Sequence, residues 1–381
     1  MRADNYRVII SGGGTGGHIF PAIAVADALL KESPSSKVLF VGSKWGMEME
    51  IVPSAGYEIV GVPIVGVKRS LSLSNLKVPF LLVGALIQSF KILKQFKPHV
   101  VIGMGGYAAF PLIKASAWRS IPYLLQEQNS YAGLVNRLLA PKAEEICVAY
   151  PKMERFFPKE RITLTGNPIR SNFGDRTRQK KDSSKRKFGF PPEKSLILIV
   201  GGSLGAKTLN RAVMEWAKER RESEASILWQ YGRGYKEEVD RFIKDNPRSY
   251  IKEHPFLNDM ESALAAADLV ISRGGATTIS ELSIAGKATI FVPSPNVADN
   301  HQYHNANSIV ERGGAILIED SRAVESLLPT AIELVKDKEA IAQLEERIAS
   351  LAFRDSSAIV ASKVLEAAKR GEREDRAEER R

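Results

Sequence analysis

Short apolar runs rich in Val, Ile and Leu alternate along this chain with longer stretches in which apolar residues recur every three or four positions. The first pattern is typical of buried strands, and the second is typical of helices that pack on one face. Their alternation predicts parallel strands joined by helical crossovers. The chain is therefore predicted to belong to the α/β class, with a doubly wound sheet in each half.

The apolar runs also give the bounds of the predicted elements. In the first half, strands are predicted at Tyr6–Ser11, Lys37–Gly42, Val100–Met104, Tyr123–Gln126 and Glu145–Ala149. In the second half, they are predicted at Leu196–Val200, Ile227–Tyr231, Leu269–Ser272 and Ala288–Val292. Helices are predicted at Pro21–Lys31 and Ser356–Lys369, and the charged segment 370–381 is predicted to be frayed. The basic segment 175–187 is predicted to be a solvated helix or a linker.

Length and cysteine content limit the class of protein. The 381 residues suffice for two domains, and the turn at 166–168 predicts domains at 1–166 and 167–353. The single cysteine, Cys147, lies in an apolar run and is predicted to be a buried strand thiol, which excludes disulfides. The start of the chain is polar, and no stretch comes near the ~18 apolar residues of a spanning helix. We therefore expect neither export nor a membrane span, and a cytoplasmic location.

The formal net charge of +10 is unevenly distributed. No acid occurs between Glu58 and Glu127, and within this window the apolar segment 75–87 is followed by Lys91, Lys94 and Lys97. Apolar burial and attraction to anionic lipid would act together at such a segment, which predicts a peripheral membrane contact. A core helix with a basic solvent face is the alternative. Nucleic acid is not an expected partner, because the window has few aromatic residues and no known binding module.

Two glycine-rich segments, 11–18 and 201–206, each follow a predicted strand and precede a predicted helix. Glycine lets the backbone approach a phosphate, and the amides at a helix N-terminus favour negative charge, so both are predicted anion sites. Tight turns without a ligand are the alternative. Segment 41–44 lacks the acid that holds the ribose of a nicotinamide cofactor, and Ala206 replaces a glycine of the ATP-binding loop. No cofactor is therefore predicted.

Polar residues follow several predicted strands, where ligands bind in open parallel sheets. They lie at 103–107, 126–129, 272–281 and 299–302, with Asn305 one helical turn further on. Amides such as those of Gln302 and Asn305 suit the hydroxyls of a sugar, and Glu281 could accept from both hydroxyls of a ribose. Solvent-facing helix residues are the alternative.

His18, directly after the first glycine segment, is the candidate base, with Glu127 as its rival. A histidine that only hydrogen-bonds the loop is the structural alternative. The remaining histidines show no metal-site spacing and no Asp-x-Asp pair occurs, so no metal is predicted. Helix N-termini and a cation such as Arg170 would then stabilise a leaving diphosphate.

Six ordered motifs resemble those of the glycosyltransferase family 28 enzymes that convert lipid I into lipid II in peptidoglycan synthesis. The motifs are Gly-Gly-Thr-Gly-Gly-His at 13–18, Gly-Met-Gly-Gly-Tyr at 103–107, Glu-Gln-Asn at 127–129, Gly-Asn-Pro-Ile-Arg at 166–170, Gly-Gly-Ser-x-Gly-Ala at 201–206 and Ser-Glu at 280–281. The resemblance covers about Tyr6 to Lys369. It departs from the usual family pattern at Gln126, where a histidine is common, and at His301, where a glutamine is common.

The resemblance implies a GT-B fold, in which two Rossmann-like domains face each other across a cleft and a last helix, about 354–370, crosses back to the first domain. It implies an inverting, metal-independent transfer of N-acetylglucosamine from UDP-N-acetylglucosamine to the C4 hydroxyl of N-acetylmuramic acid in lipid I. The enzyme would be a peripheral protein at the cytoplasmic face of the inner membrane, and other cell-wall synthesis proteins are candidate partners.

The resemblance also assigns candidate site residues, with His18 as the favoured base. The implied donor contacts are Thr15, Gly16, Gly17, Asn129, Arg170, Ser203, Leu257, Ala276, Thr277, Thr278, Ile279, Ser280, Glu281, Gln302 and Asn305. The implied contacts of the acceptor diphosphate are Gly14, Gly105, Gly106 and Tyr107. Two other functions remain open from the sequence: a UDP-N-acetylglucosamine 2-epimerase on a similar frame, and a nucleotide-sugar-binding module without catalysis.

Overall fold

A computed structural model describes residues 5–66, 76–169, 180–202, 204–220 and 222–378. The chain divides into two compact units. The first unit comprises Met1–Ser171 and Phe353–Arg381, and the second comprises Asn172–Ala352. The last helix of the chain thus belongs to the first unit.

The first unit contains a parallel sheet of seven strands within the described residues. The strands are β1 (Arg7–Ser11), β2 (Lys37–Ser43), β3 (Ile59–Val62), β4 (Val100–Gly103), β5 (Tyr123–Glu127), β6 (Glu145–Val148) and β7 (Ile162–Leu164). Their spatial order is β3-β2-β1-β4-β5-β6-β7. The order reverses between β1 and β4, where Ser11 pairs with Gly103. The segments that follow these two strands therefore meet at the switch point of the sheet.

Helices cover both faces of this sheet. They are α1 (Gly16–Glu32), α2 (Glu48–Ser54), α3 (Val78–Phe96), α4 (Phe110–Trp118) and α5 (Leu134–Leu139), with the C-terminal helix 356–378. Alternate residues of β1 enter different cores: Ile9 packs on one face, and Val8 and Ile10 pack on the other. On the second face, the C-terminal helix packs along α1 through Val360 and Val364.

Helix α3 carries the apolar segment that the sequence marks as a membrane contact. Phe80, Val83 and Ile87 lie on one face and are 81%, 57% and 54% exposed, while Ala85 and Ser89 lie on the opposite, buried face. Its 19 residues, with a mean hydropathy of 1.2, meet the length and composition of a membrane-spanning helix. The prediction that no segment has the length and apolar composition of a spanning helix was therefore wrong. The buried face nevertheless packs against α4 as part of the first unit.

The second unit contains a parallel sheet of six strands within the described residues, in the order β10-β9-β8-β11-β12-β13. The strands are β8 (Leu196–Val200), β9 (Ser226–Gln230), β10 (Ile251–His254), β11 (Leu269–Ser272), β12 (Thr289–Phe291) and β13 (Ile316–Leu317). The helices are α6 (Lys181–Lys187), α7 (Lys207–Glu219), α8 (Lys236–Asp245), α9 (Met260–Ala266), α10 (Ala276–Ala285), α11 (His301–Val310), α12 (Ala323–Lys336) and α13 (Lys338–Ser350). The C-terminal helix is α14 (Ser356–Glu378). Both halves thus confirm the predicted doubly wound parallel sheets.

Three local predictions differ from the structure. Helix α1 begins at Gly16 rather than near Pro21, so His18 lies in its first turn. Helix α14 continues to Glu378, so the prediction of a frayed segment from Arg370 was wrong up to that residue. Of the basic segment 175–187, residues 181–187 form α6, and 175–179 lie outside the described residues.

Candidate active site

The segments after β1 and β4 pack closely against each other in the first unit. Gly105 and Gly106 have φ angles of +84° and +77°, a conformation that glycine adopts without strain. A Cβ atom on Gly106 would lie only 2.6 Å from the carbonyl oxygen of Gly13, and one on Gly105 would lie 3.1 Å from the His18 ring. These two positions therefore need glycine for both backbone angle and space.

The backbone amides of these loops differ in their partners. The amide of Gly14 donates to the Glu48 carboxylate at 3.0 Å, so it does not fit the prediction that Gly14 meets the acceptor diphosphate. By contrast, the amides of Gly105 and Gly106 donate to no acceptor among the described residues. The amides of Gly16 and Gly17, in the first turn of α1, likewise have no acceptor within the described parts of the chain.

His18 is held by Gln128, a residue that the sequence analysis did not single out. The Nδ1 atom of His18 lies 3.1 Å from Oε1 of Gln128. The Nε2 atom of Gln128 donates to the Met104 carbonyl at 2.8 Å, which fixes the orientation of the amide. Because Oε1 can only accept, Nδ1 of His18 must carry the proton. In the neutral imidazole, Nε2 is then the basic nitrogen.

Glu127 is 2% exposed, and its two oxygens accept four hydrogen bonds. The donors are the amide and side chain of Asn129, the amide of Gly133 and the side chain of Asn136. Burial raises the pKa of Glu127, although these bonds oppose the shift. This geometry does not support Glu127 as a base, because its oxygens already hold the segment that follows β5. Glu127 instead fixes Asn129 in place.

Tyr107 packs against the first glycine segment in the first unit. Its ring packs over Gly14 and Gly66, where a Cβ atom would lie 3.0 and 3.1 Å from ring carbons. Burial, and secondly the charge of Glu48, raise the pKa of Tyr107 above its usual value. The hydroxyl is therefore protonated near neutral pH and is able to donate a hydrogen bond.

In the second unit, Val200 at the end of β8 pairs with Ser272 at the end of β11. The glycine segment 201–206 and the segment 273–275 therefore meet at the switch point of this sheet. Gln230, which the sequence analysis also missed, is 2% exposed. Its Nε2 donates to the Gly202 carbonyl at 3.1 Å, and its Oε1 accepts from the Leu257 amide at 2.9 Å. Gln230 thus links the glycine loop to the segment around Leu257.

The other donor residues predicted in the second unit lie on α10 and α11 or outside the described residues, as Arg170 of the first unit also does. Ala276 and Ile279 are buried on α10, whereas Thr277, Thr278, Ser280 and Glu281 are partly exposed. Among the described residues, the buried hydroxyl of Thr277 has no hydrogen-bond partner. Gln302 accepts from the Ser294 amide, and Asn305 is buried and donates to the Gly274 carbonyl. Arg170 and Ser203 lie outside the described residues.

Two further observations bear on ligands. Within the described ranges, no group of three or more His, Cys, Asp or Glu residues is arranged to hold a metal ion. A cavity of 720 Å³ lies along α3 and is lined by Leu39, Val60 and Phe96 among others. It contains none of the predicted site residues.

Known proteins resemble both units of this chain. The profile of the glycosyltransferase family 28 N-terminal domain matches residues 8–148, and that of the C-terminal domain matches residues 196–360. The UDP-N-acetylglucosamine–N-acetylmuramyl-(pentapeptide) pyrophosphoryl-undecaprenol N-acetylglucosamine transferase of Phocaeicola vulgatus is 47% identical over 96% of this chain and 97% of its own length. The crystal structure of Acinetobacter baumannii MurG, at 29% identity, gives a TM-score of 0.75 over 95% of this chain and 99% of that one. A UDP-GlcNAc 2-epimerase from Neisseria meningitidis, at 15% identity, has a TM-score of 0.64 over 94% and 99% of the two chains and shares the fold alone.

Proposed function

The chain belongs to glycosyltransferase family 28, and from this we infer that it transfers N-acetylglucosamine from UDP-N-acetylglucosamine to lipid I, giving lipid II and UDP. In this reaction the C4 hydroxyl oxygen of N-acetylmuramic acid bonds to the anomeric carbon of the donor sugar. The bond from that carbon to the diphosphate breaks, and its electron pair leaves with UDP. The hydroxyl proton passes to a base. The chain is thus a hexosyltransferase of peptidoglycan synthesis with the two Rossmann-like domains of the GT-B fold.

His18 is our proposed base, and its contact with Gln128 is the observation that carries this assignment. The fixed amide of Gln128 keeps the proton on Nδ1, so Nε2 is the nitrogen able to take the proton of the C4 hydroxyl. An imidazole suits this task, because its ordinary pKa lies near neutral pH. Gln128 does not touch the reacting atoms in this account, so it is a positioning residue.

We assign the donor nucleotide to the second unit. Glu281 would accept from the ribose hydroxyls, the backbone near Leu257 would contact uracil, and Gln302 would contact the sugar. Ser203 and the start of α10 at Ala276–Ser280 would stabilise the diphosphate that leaves, and Arg170, which belongs to the first unit, is the proposed cation for it. The buried hydroxyl of Thr277, which has no partner among the residues that the structure describes, supports this placement, since a donor phosphate would satisfy it. Asn305 supports the loop by holding the Gly274 carbonyl.

We assign the acceptor to the first unit. The amides of Gly105 and Gly106 and the hydroxyl of Tyr107 are the proposed donors to its diphosphate. They point to this role because the glycine amides have no acceptor in the described part of the chain, and because Tyr107 is protonated. Thr15, Gly16, Gly17 and Asn129 would lie near the reacting centre, where the first turn of α1 favours negative charge.

We further propose that α3 holds the enzyme at the cytoplasmic face of the inner membrane. Its exposed apolar stripe, defined by Phe80, Val83 and Ile87, is followed by exposed Lys91 and Lys94. The exposed Trp118 of α4 stacks on Phe90 of α3, with Lys114 above its ring. Apolar, aromatic and basic residues together favour an anionic membrane surface. Other cell-wall synthesis proteins are proposed partners on the family resemblance alone.

The membrane proposal has a matched test. Replacing Phe80, Val83 and Ile87 by Ser should lower binding to anionic vesicles by at least about tenfold, because each side chain would bury apolar area in the bilayer. UDP binding should be unchanged. The control replaces Leu134 and Leu138 of α5 by Ser, since both are 60% exposed in the same unit. Equal vesicle binding of both variants and the native protein would contradict the proposal.

Release of UDP separates the candidate functions. We expect UDP to appear only when UDP-N-acetylglucosamine and a lipid I analogue are both present, together with one equivalent of glycosylated acceptor. An epimerase would instead convert the donor sugar to its 2-epimer without the acceptor. A binding module would retain the donor unchanged. Either of these results would contradict the proposed transfer.

A further inference from the structure

Glu48 is a buried acid whose carboxylate contacts the first glycine segment, 11–18. It begins α2, five residues after the end of β2, and is 1% exposed. One carboxylate oxygen accepts from the Gly14 amide at 3.0 Å, and the other accepts from the Ser43 amide at 2.8 Å. The carboxylate thus occupies backbone donors that would otherwise suit an anionic ligand.

Three glycines make room for this side chain. A Cβ atom would lie 2.1 Å from a Glu48 atom if placed on Gly13, 2.6 Å if placed on Gly42 and 2.2 Å if placed on Gly46. Gly42 and Gly46 do not have positive φ angles, so their backbone does not require glycine. The space taken by Glu48 is the reason that the structure gives for glycine at these positions. Part of the glycine pattern therefore accommodates a protein carboxylate rather than a ligand phosphate.

The position of Glu48 links it to the reacting residues. Helix α1 begins two residues after Gly14 and carries His18 in its first turn. The ring of Tyr107 lies over Gly14, and the charge of Glu48 contributes to the raised pKa of this tyrosine. Loss of the carboxylate would release the Gly14 amide next to both groups. A phosphate at that amide would meet Glu48 as a like charge.

We propose that Glu48 is a positioning residue that acts as the resident anion of the loop 12–14, holding α1 in place and excluding the acceptor diphosphate from the Gly14 amide. This inference rests on the proposed function, because it concerns the acceptor of that reaction. The diphosphate is thereby left to the Gly105–Gly106 turn. The carboxylate fills a second anion-binding position, at the Gly14 amide. An acceptor diphosphate bound there would hold the acceptor in an unproductive position.

The test uses Glu48→Ala in the full chain, because the deleted atoms correspond to one acetate ion. We expect kcat/KM for a lipid I analogue to fall by at least about tenfold, with the donor KM unchanged. Acetate at about 100 mM should restore activity at least about threefold relative to chloride at equal ionic strength. Inorganic pyrophosphate should compete with the acceptor more strongly than in the native enzyme, because the loop amides are then open.

Two further variants keep the test decisive if Glu48→Ala does not fold. Glu48→Gln keeps the shape but turns its NH₂ group toward one amide donor, so acceptor kcat/KM should fall without rescue by acetate. Glu50→Ala, which removes an exposed acid from the same first turn of α2, should behave as the native enzyme. Native acceptor kinetics in Glu48→Gln, or a folded Glu48→Ala that neither acetate nor pyrophosphate affects, would overturn the proposal. Absence of acceptor-dependent UDP release in the native protein would instead refute the proposed function.

Discussion

Removal of the Gln128 amide tests whether this residue acts through His18. In Gln128→Met, a side chain of similar length keeps the packing of a residue that is 2% exposed but cannot accept from Nδ1 of His18. The Met104 carbonyl also loses its donor. Loss of these neutral hydrogen bonds should cost about 1 to 2 kcal/mol of transition-state stabilisation, which is about 5- to 30-fold in kcat.

The assay is a double-mutant cycle on acceptor-dependent UDP release. His18→Ala alone should lower kcat by about 10²- to 10⁴-fold, as expected for loss of a general base. If Gln128 serves only to orient His18, adding Gln128→Met to His18→Ala should lower kcat by no more than about twofold. The donor KM should be the same in all four proteins.

A matched control for this cycle is Gln126→Met. Gln126 is buried on β5, two positions before Gln128, but its amide donates to the Gly166 carbonyl and not toward His18. Any fold-decrease in kcat that Gln126→Met causes should multiply with the fold-decrease caused by His18→Ala, because the two residues act independently. If Gln128→Met also multiplies with His18→Ala, then Gln128 acts independently of the imidazole, and the reasoning from its fixed amide is refuted.

Two other predictions concern the donor site and the buried thiol. Gln230→Met should raise the donor KM by about tenfold and weaken UDP binding in calorimetry, because two hydrogen bonds that join Gly202 to Leu257 are lost; unchanged UDP affinity in a folded variant would count against this. Burial, and secondly the charge of Glu145, raise the pKa of Cys147 from 9.0 to about 12. Its thiol should therefore react with a thiol reagent at pH 8 only on unfolding, and fast labelling of the native protein would contradict this. Because the folded pKa exceeds the unfolded one, stability relative to Cys147→Ala should be complete below pH 9 and decrease as the pH rises toward 12, as measured by denaturant unfolding.

The central strands could be predicted from sequence because burial on both faces makes them nearly continuous apolar runs. β8 and β11 have the predicted bounds for this reason. The strand β10, Ile-Lys-Glu-His, lies at an edge of its sheet and has only one buried residue, so its sequence lacks the apolar run. The strand β13 has only two residues. The ladder to a neighbouring strand defines both elements, and that pairing is not visible in a local window.

In the candidate site, too, contacts between residues far apart in the chain are not visible in a local window of the sequence. Glycines and strand-end amides mark its loops in the sequence, and His18 follows directly from its place after the first loop. Glu48 is the first residue of a short helix and resembles any first-turn acid, although the Gly14 amide that it holds lies 34 positions earlier. Gln230 likewise joins groups that are 28 and 27 positions away. Only the folded backbone reveals that these amide and carboxylate groups have partners.

The anomeric configuration of the product tests the account most directly. Single displacement with a base that activates the acceptor hydroxyl must invert the donor carbon, so UDP-α-N-acetylglucosamine and a lipid I analogue should give a β-linked disaccharide, measured from the proton coupling constant of the new linkage. His18→Ala should form the same linkage slowly. An α-linked product, or a sugar covalently attached to the enzyme, would contradict the transfer proposed for this chain.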